Sequence, residues 1–133
     1  MQKIEHIGIA VQDIEVGEKI YGSLLDTKPY KREVVESEMV RTSFLRNGPN
    51  KIELLEPTSK DSVIQKYIDK YGEGIHHMAF AVVDINAEMK RLKKEGFVLL
   101  NEVPKKGADN KMVCFIHPKS TAGVLIELCQ EIH

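Results

Sequence analysis

The stretch that decides the fold is His6–Ile14, which reads HIGIAVQDI and recurs at His77–Ile85 as HMAFAVVDI. Each copy begins with a histidine in an apolar, strand-like run and ends with an aspartate suited to cap a helix. A second pair of related segments follows at nearly the same spacing, IELL at Ile52–Leu55 and IELC at Ile126–Cys129. The chain is therefore predicted to contain two copies of one module, each with a strand-borne histidine and a strand-borne glutamate.

The composition is that of an ordinary soluble protein and excludes a basic surface for nucleic acid. The 133 residues are 42% hydrophobic and 29% charged, and 19 basic against 20 acidic residues give a net charge of −1. Cys114 and Cys129 lie in apolar runs, which is typical of core thiols in a reducing compartment. A signal pattern and an apolar run near the ~20 residues of a membrane span are both absent. We expect a cytoplasmic protein with no membrane partner.

The two modules are predicted to follow the same order of elements, βαβββ. Module one covers about residues 1–57, and module two about 73–133. A connector helix at about 59–72 ends at Gly72. Predicted strands are 4–11, 30–35, 39–45 and 51–55, then 74–82, 97–100, 111–116 and 123–130, with Asp13 and Asp84 as the helix caps. We predict an α+β fold, a single domain over 1–133, with one cupped, mainly antiparallel eight-stranded sheet and helices on the outside.

The repeated histidines and glutamates predict a divalent metal site formed by His6, Glu53, His77 and Glu127. Side chains alternate along a strand, so His6 shares a face with Gly8 and Ala10, and His77 shares one with Ala79 and Ala81. Small neighbours leave room for a ligand. A glutamate inside an apolar strand is costly unless it faces water, is paired or binds a metal. Two nitrogens and two oxygens suit Co²⁺, Mn²⁺, Ni²⁺, Zn²⁺ or Fe²⁺ and leave two adjacent positions open in an octahedral ion.

Plainer interpretations stay open for these residues. A strand histidine is often only a hydrogen-bonded structural residue, and a strand glutamate often faces water. Their recurrence in both modules favours the metal site. His76 is predicted either to support a metal ligand from behind or to pack between sheet and helix, His117 either lines the site or belongs to a turn, and His133 is terminal. The basic clusters Lys90–Lys94 and Lys105–Lys106 are either solvated or bind a phosphate-bearing ligand.

In this order the segments resemble the vicinal oxygen chelate superfamily, which is built from paired βαβββ modules. Within it, the chain is similar to the methylmalonyl-CoA epimerase family from Ile4 to Gln130. The segments that carry this resemblance are GEGIHHMAF at 72–80, IELLEP at 52–57, HPKS at 117–120 and GVLIEL at 123–128.

The resemblance implies a metal ion, most often Co²⁺, held by His6, Glu53, His77 and Glu127. It implies epimerisation of an acyl-CoA thioester, methylmalonyl-CoA, at C2 through a metal-stabilised enolate, with Glu127 as one acid–base group. Lys119 or Ser120 would hold the free carboxylate, or basic residues would neutralise the CoA phosphates. A homodimer is also expected.

The second acid–base group is not identified by the resemblance. The position that aligns with the family's group is Arg41, which cannot titrate usefully. Glu36 and Glu38 would need a register shift, and a metal-bound water is another possibility. The turn at 107–111 also departs from the family pattern, having Asp109-Asn110 where relatives have His-Gly.

Several rival functions are weighed against the epimerase. A glyoxalase I-type lactoylglutathione lyase has the same fold and nearly the same ligands, but the His76-His77 pair and the HPKS loop argue against it. A non-enzymatic small-molecule-binding protein of the superfamily typically lacks the four ligands. An extradiol dioxygenase is generally longer, and a purely structural duplicated domain is the plainest alternative.

Overall fold

A computed structural model describes the whole chain, Met1–His133. The three helices are α1 (Ile14–Leu25), α2 (Val63–Tyr71) and α3 (Ile85–Lys94). The strands are β1 (Lys3–Ala10), β2 (Lys31–Val35), β3 (Val40–Asn47), β4 (Asn50–Pro57), β5 (Gly74–Ala81), β6 (Lys105–Lys106), β7 (Lys111–Ile116) and β8 (Ile126–Glu131). Short 3₁₀ turns lie at Glu36–Glu38 and Pro118–Ser120. None of the helices is long and apolar enough to cross a bilayer.

The strands follow the order β2-β3-β4-β1-β5-β8-β7-β6 in a mixed eight-stranded sheet. The predicted α+β fold with eight strands is therefore confirmed. The chain divides into two compact units, His6–His76 and Met1–Glu5 with His77–His133, and the division falls within β1 and within β5. That the modules form one domain stays a prediction.

In the unit His6–His76, α1 and α2 pack on different faces of the strands. Asp13 caps α1 as predicted, because its carboxylate accepts hydrogen bonds from the amides of Glu15 at 2.9 Å and Val16 at 3.2 Å. The core under α1 consists of Ile9, Val11, Ile14, Leu45 and Leu54. The core under α2 consists of Ala10, Val40, Leu55, Ile64 and Ile68. Since Ala10 follows Ile9 and Leu55 follows Leu54, the two cores lie on opposite faces.

In the unit of Met1–Glu5 and His77–His133, α3 takes the position that α1 has in the other unit. Asp84 caps it and accepts a hydrogen bond from the Ala87 amide at 3.1 Å. The core under α3 consists of Val82, Ile85, Met89, Leu92, Cys114, Ile116 and Leu128. Both cysteines are buried and unbridged, and burial raises the pKa of the Cys114 thiol. This agrees with their prediction as core residues.

The repeat extends to the register of the strands. Gly8 in β1 pairs with Glu53 in parallel β4, and Ala79 in β5 pairs with Glu127 in parallel β8. The antiparallel neighbours match too, with Phe44 opposite Glu53 and Phe115 opposite Glu127. Each histidine thus lies two residues before the partner of its module's glutamate.

The predicted strand at 97–100 is wrong. Leu99 makes only an isolated bridge to Ile116, and the edge of β7 is covered further along by β6. The Asn101 side chain replaces a backbone hydrogen bond at this edge, because its Oδ1 accepts a hydrogen bond from the Phe115 amide at 2.9 Å. The apolar alternation of 97–100 is still real, since Phe97 and Leu99 pack against the α3 core.

Candidate active site

His6 and Glu53 form a buried pair in the unit His6–His76. Strand β1 positions His6 and strand β4 positions Glu53, and the register places both side chains on the same face as Gly8. His6 Nε2 lies 3.3 Å from Glu53 Oε1. Both residues are about 5% exposed. An imidazole and a carboxylate therefore meet on a buried part of this face.

His77 and Glu127 form the equivalent pair in the other unit. Strand β5 positions His77 and strand β8 positions Glu127, and His77 Nε2 lies 3.3 Å from Glu127 Oε1. Both residues are buried. The ring of Phe115 stands edge-on to the His77 ring, with 5.9 Å between centroids, and so closes one side of this pair.

The geometry of each pair fits two adjacent ligands of a divalent ion. Donors bound at about 2.1 Å and at right angles to each other are roughly 3 Å apart. The measured 3.3 Å is near that separation, and it is longer than the roughly 2.7–2.9 Å of a charge-assisted hydrogen bond. Histidine nitrogen with carboxylate oxygen is also a donor set that such ions accept. The residues present therefore fit the ion that the sequence predicts.

Arg41 does not face this site. In the register of β3 with β4 it lies opposite Glu56, whereas Phe44 lies opposite Glu53, so Arg41 points to the other face of the strand. Its guanidinium donates to Glu56 Oε1 at 3.0 Å. Thr42, its buried neighbour, is on the face of Glu53. Both its orientation and its chemistry therefore exclude Arg41 as the acid–base group of this site.

The loop with the two predicted substrate-binding residues is internally hydrogen bonded. The Lys119 amide donates to His117 Nδ1 at 3.0 Å, so His117 holds the start of the 3₁₀ turn. Ser120 Oγ accepts from the Val98 amide at 2.9 Å, and its hydroxyl proton can still be donated. The Lys119 side chain is exposed. His117 therefore has the turn role that was one of its two predicted alternatives.

His76 packs between a strand and a helix, which was one of its two predicted alternatives. Its ring meets the ring of Tyr67 on α2 edge-on, with 5.1 Å between centroids. The Tyr67 hydroxyl donates to the carbonyl of Ile75 at 2.6 Å, which fixes the helix beside the start of β5.

Three side chains near the pairs were not assigned to the site from the sequence, although Lys105 was noted there as part of a basic cluster. Phe44 and Phe115 flank the two glutamates, and Lys105 Nζ lies 6.0 Å from the centre of the Phe115 ring. The phenylalanines could have been found by counting from the glutamates across each predicted hairpin. Lys105 could not, because the short strand that positions it has no apolar pattern.

The fold and the sequence place the chain among known proteins. Residues 5–115 match the profile of the glyoxalase/bleomycin resistance protein/dioxygenase superfamily, and the chain belongs to that superfamily. It is 37% identical, over 130 residues, to an ethylmalonyl-CoA/methylmalonyl-CoA epimerase of Cereibacter sphaeroides, and the match spans 96% of this chain and 97% of the relative. Within the superfamily the chain is thus a member of the methylmalonyl-CoA epimerase family, which is a family of isomerases, and the resemblance is confirmed.

Solved structures agree over the whole chain. A hypothetical protein of Bacillus halodurans is 42% identical with a TM-score of 0.95, and the match covers 98% of this chain and 95% of that one. A variant of methylmalonyl-CoA epimerase from Streptomyces coelicolor, in complex with 2-nitronate-propionyl-CoA, is 33% identical with a TM-score of 0.94. That match covers 100% of this chain and 99% of the other.

Proposed function

We propose that this chain epimerises methylmalonyl-CoA at C2 and uses one divalent metal ion bound by His6, Glu53, His77 and Glu127. The observation that supports the proposal most is the pair of buried imidazole–carboxylate contacts, each 3.3 Å long and in the same register of its module. The C. sphaeroides relative, whose name states this activity, is similar along nearly its whole length. That both pairs bind the same ion is inferred from the duplication.

The four ligands would serve the chemistry of a proton next to a thioester. A divalent ion, when bound, supplies Lewis-acid polarisation of the thioester and carboxylate oxygens, which acidifies the C2 proton and stabilises the enolate by several kcal/mol. Glu127 is our candidate to remove and return that proton on one face of C2. Phe115, edge-on to His77, excludes water from one side of the pair.

Epimerisation also needs a group on the opposite face of C2, and Arg41 is not that group. Lys119 and Ser120 are proposed to contact the acyl-CoA, since the loop exposes the lysine and leaves the serine a proton to donate. Cobalt as the native metal, a homodimeric assembly and a cytoplasmic location remain predictions.

Solvent-deuterium exchange tests the proposed function. Wild-type protein loaded with Co²⁺ should incorporate deuterium at C2 of methylmalonyl-CoA and convert one epimer into the other. Glu127→Gln should bind the thioester but lose exchange by a factor of about 10² or more, because the amide cannot accept the proton. Glu131→Gln is the matched control, since Glu131 is an exposed glutamate at the end of the same strand.

Two results would count against the proposal. Turnover of a glutathione hemithioacetal with no C2 exchange would assign the protein to the lactoylglutathione lyases instead. Exchange at wild-type rate in Glu127→Gln would remove Glu127 from the mechanism while leaving the reaction in place.

A further inference from the structure

The edge strand β6 positions one lysine on the face of the His77–Glu127 pair. Lys105 pairs with Val113 in β7, and Phe115, two residues further along that strand, pairs with Glu127 in β8. Residues opposite each other in neighbouring strands share a face, and side chains along one strand alternate. Lys105 is therefore on the face of Glu127, whereas Lys106 is on the opposite face.

The ring of Phe115 connects Lys105 to the pair. Lys105 Nζ lies 6.0 Å from the centre of this ring, and the same ring stands edge-on to His77 at 5.9 Å. Lys105 is exposed, whereas His77 and Glu127 are buried. A ligand lying across the Phe115 ring would have the ammonium on one side and the buried pair on the other.

We propose that Lys105 binds the free carboxylate of the malonyl-type acyl group, an inference that rests on the proposed function. In such an acyl group the carboxylate carbon is bonded directly to C2, so it must lie within a few ångström of the group that takes the C2 proton. The phosphates of CoA are separated from the thioester by the whole pantetheine arm. A cation next to the wall that bears Glu127 is therefore in range of the carboxylate, not of the phosphates.

The charge of Lys105 has a physical task at this position. A substrate carboxylate that enters beside the buried pair loses part of its hydration, which is costly unless cations and hydrogen-bond donors compensate it. An ammonium group beside the ring offsets that cost and offers three hydrogen-bond donors to the carboxylate oxygens. A plain acyl thioester gains nothing from this contact. Lys105 is therefore a specificity residue that selects malonyl-type over simple acyl thioesters.

A binding comparison tests this inference separately from turnover. Dissociation constants of malonyl-CoA and propionyl-CoA, which differ in the carboxylate and share the CoA, are measured calorimetrically on the metal-loaded protein. The ratio of the two constants reports the contribution of the carboxylate alone. Lys105→Ala should weaken malonyl-CoA about tenfold and leave propionyl-CoA within about twofold. Lys106→Ala, the neighbouring lysine on the other face, should leave both unchanged.

Three outcomes would overturn the assignment. If Lys105→Ala weakens the binding of both thioesters equally, the lysine contacts the CoA part that they share. If it changes neither, it has no role in binding. If Lys119→Ala, measured in parallel, is the variant that loses the preference for malonyl-CoA, the carboxylate is held by the 117–120 loop. Each of these outcomes is compatible with normal deuterium exchange by the wild type, so the proposed function would survive them.

Discussion

At the scale of single residues, burial determines what the two site glutamates can do. Glu53 and Glu127 expose only 5% and 6% of their surface, and each lies between two apolar residues of its strand. An ionised carboxylate in such surroundings costs several kcal/mol unless a cation or several donors compensate it. The imidazole beside each one is a donor when protonated and a metal ligand when neutral. A cation bound at either pair would therefore stabilise a buried carboxylate together with the imidazole beside it.

The same residue scale shows where prediction from sequence ends. The repeat singled out His6, Glu53, His77 and Glu127, but that each histidine lies next to the glutamate of its own module is seen only in the fold. The orientation of Arg41 did not follow from the sequence either, since a shift of one residue in register reverses every side chain of a strand. Only the pairing of Arg41 with Glu56 in the fold settles which face it takes.

Glu18, a half-buried acid outside the site, gives a pH-dependent prediction. Arg32 lowers the pKa of Glu18 below its ordinary 4.5 by a hydrogen bond, whereas burial raises this pKa. The Ser43 hydroxyl donates to Glu18 Oε2 at 2.5 Å and lowers the pKa further. A lowered pKa in the folded state contributes stability that is complete above 4.5 and is lost as pH falls through the folded value.

Glu18→Gln should therefore lower the free energy of unfolding at pH 7 by about 1 kcal/mol, a figure reduced because the Arg32 side chain is 45% exposed. The difference between variant and wild type should shrink as the pH falls below 4.5. Urea unfolding at pH 7 and pH 3 measures it, with the exposed loop residue Glu102→Gln as the control. A difference that is the same at both pH values would show that the ionised carboxylate of Glu18 contributes nothing.

At the scale of elements, α1 and α3, the corresponding helices of the two units, begin in the same way. The first helical amide of α1, at Ile14, donates to Glu56 Oε2 at 2.8 Å, and that of α3, at Ile85, donates to Gln130 Oε1 at 2.8 Å. Glu56 and Gln130 stand three residues after the site glutamates of their modules. The strand that supplies a ligand thus also fixes the start of the helix behind it, which couples site geometry to helix position.

The cap of α3 can be tested by substitution. Asp84→Ala removes the acceptor of the Ala87 amide and should lower the free energy of unfolding by about 1 kcal/mol. Asp84→Asn keeps an acceptor and should cost only a few tenths of that amount. The urea midpoint should fall for the alanine variant with an unchanged m value. Equal midpoints for all three proteins would mean that the Gln130 side chain alone suffices to start the helix.

Elements with a strong apolar period were predictable, and the failures have physical causes. Strands β3 and β4 were predicted on either side of Gly48-Pro49, which is typical of a turn, and Gly48 has φ +63°. The short strand β6 was missed because two exposed lysines carry no apolar signal. Gly17 lowers the helix propensity of α1, but a Cβ there would lie 3.2 Å from Leu54 Cδ1, so the glycine permits the close approach of helix and sheet.

At the scale of the whole molecule, duplication accounts for the presence of the same imidazole–carboxylate pair in two distant segments of the chain. Each module alone provides one nitrogen and one oxygen, which is half of the proposed ligand set. The two copies have kept this pair and its register while diverging elsewhere: the loop between β7 and β8 is longer than the turn between β3 and β4. Selection for metal binding would preserve the two pairs, whereas the loops could change and contact the substrate.

Metal stoichiometry tests whether the two modules share a site. We expect one Co²⁺ per chain by elemental analysis after loading and dialysis. The thermal midpoint should also be higher with bound metal, because an ion that binds only the folded state stabilises it by about 2.7 kcal/mol at a hundred times its Kd. His6→Gln and His77→Gln should each abolish the bound ion and this stabilisation, because each removes a ligand of the same site, whereas His133→Gln should change neither. Circular dichroism checks that the variants are folded. Two ions per chain, or a single histidine variant that keeps its ion, would show that the pairs act separately, and chelation of the substrate by one shared ion would then be wrong.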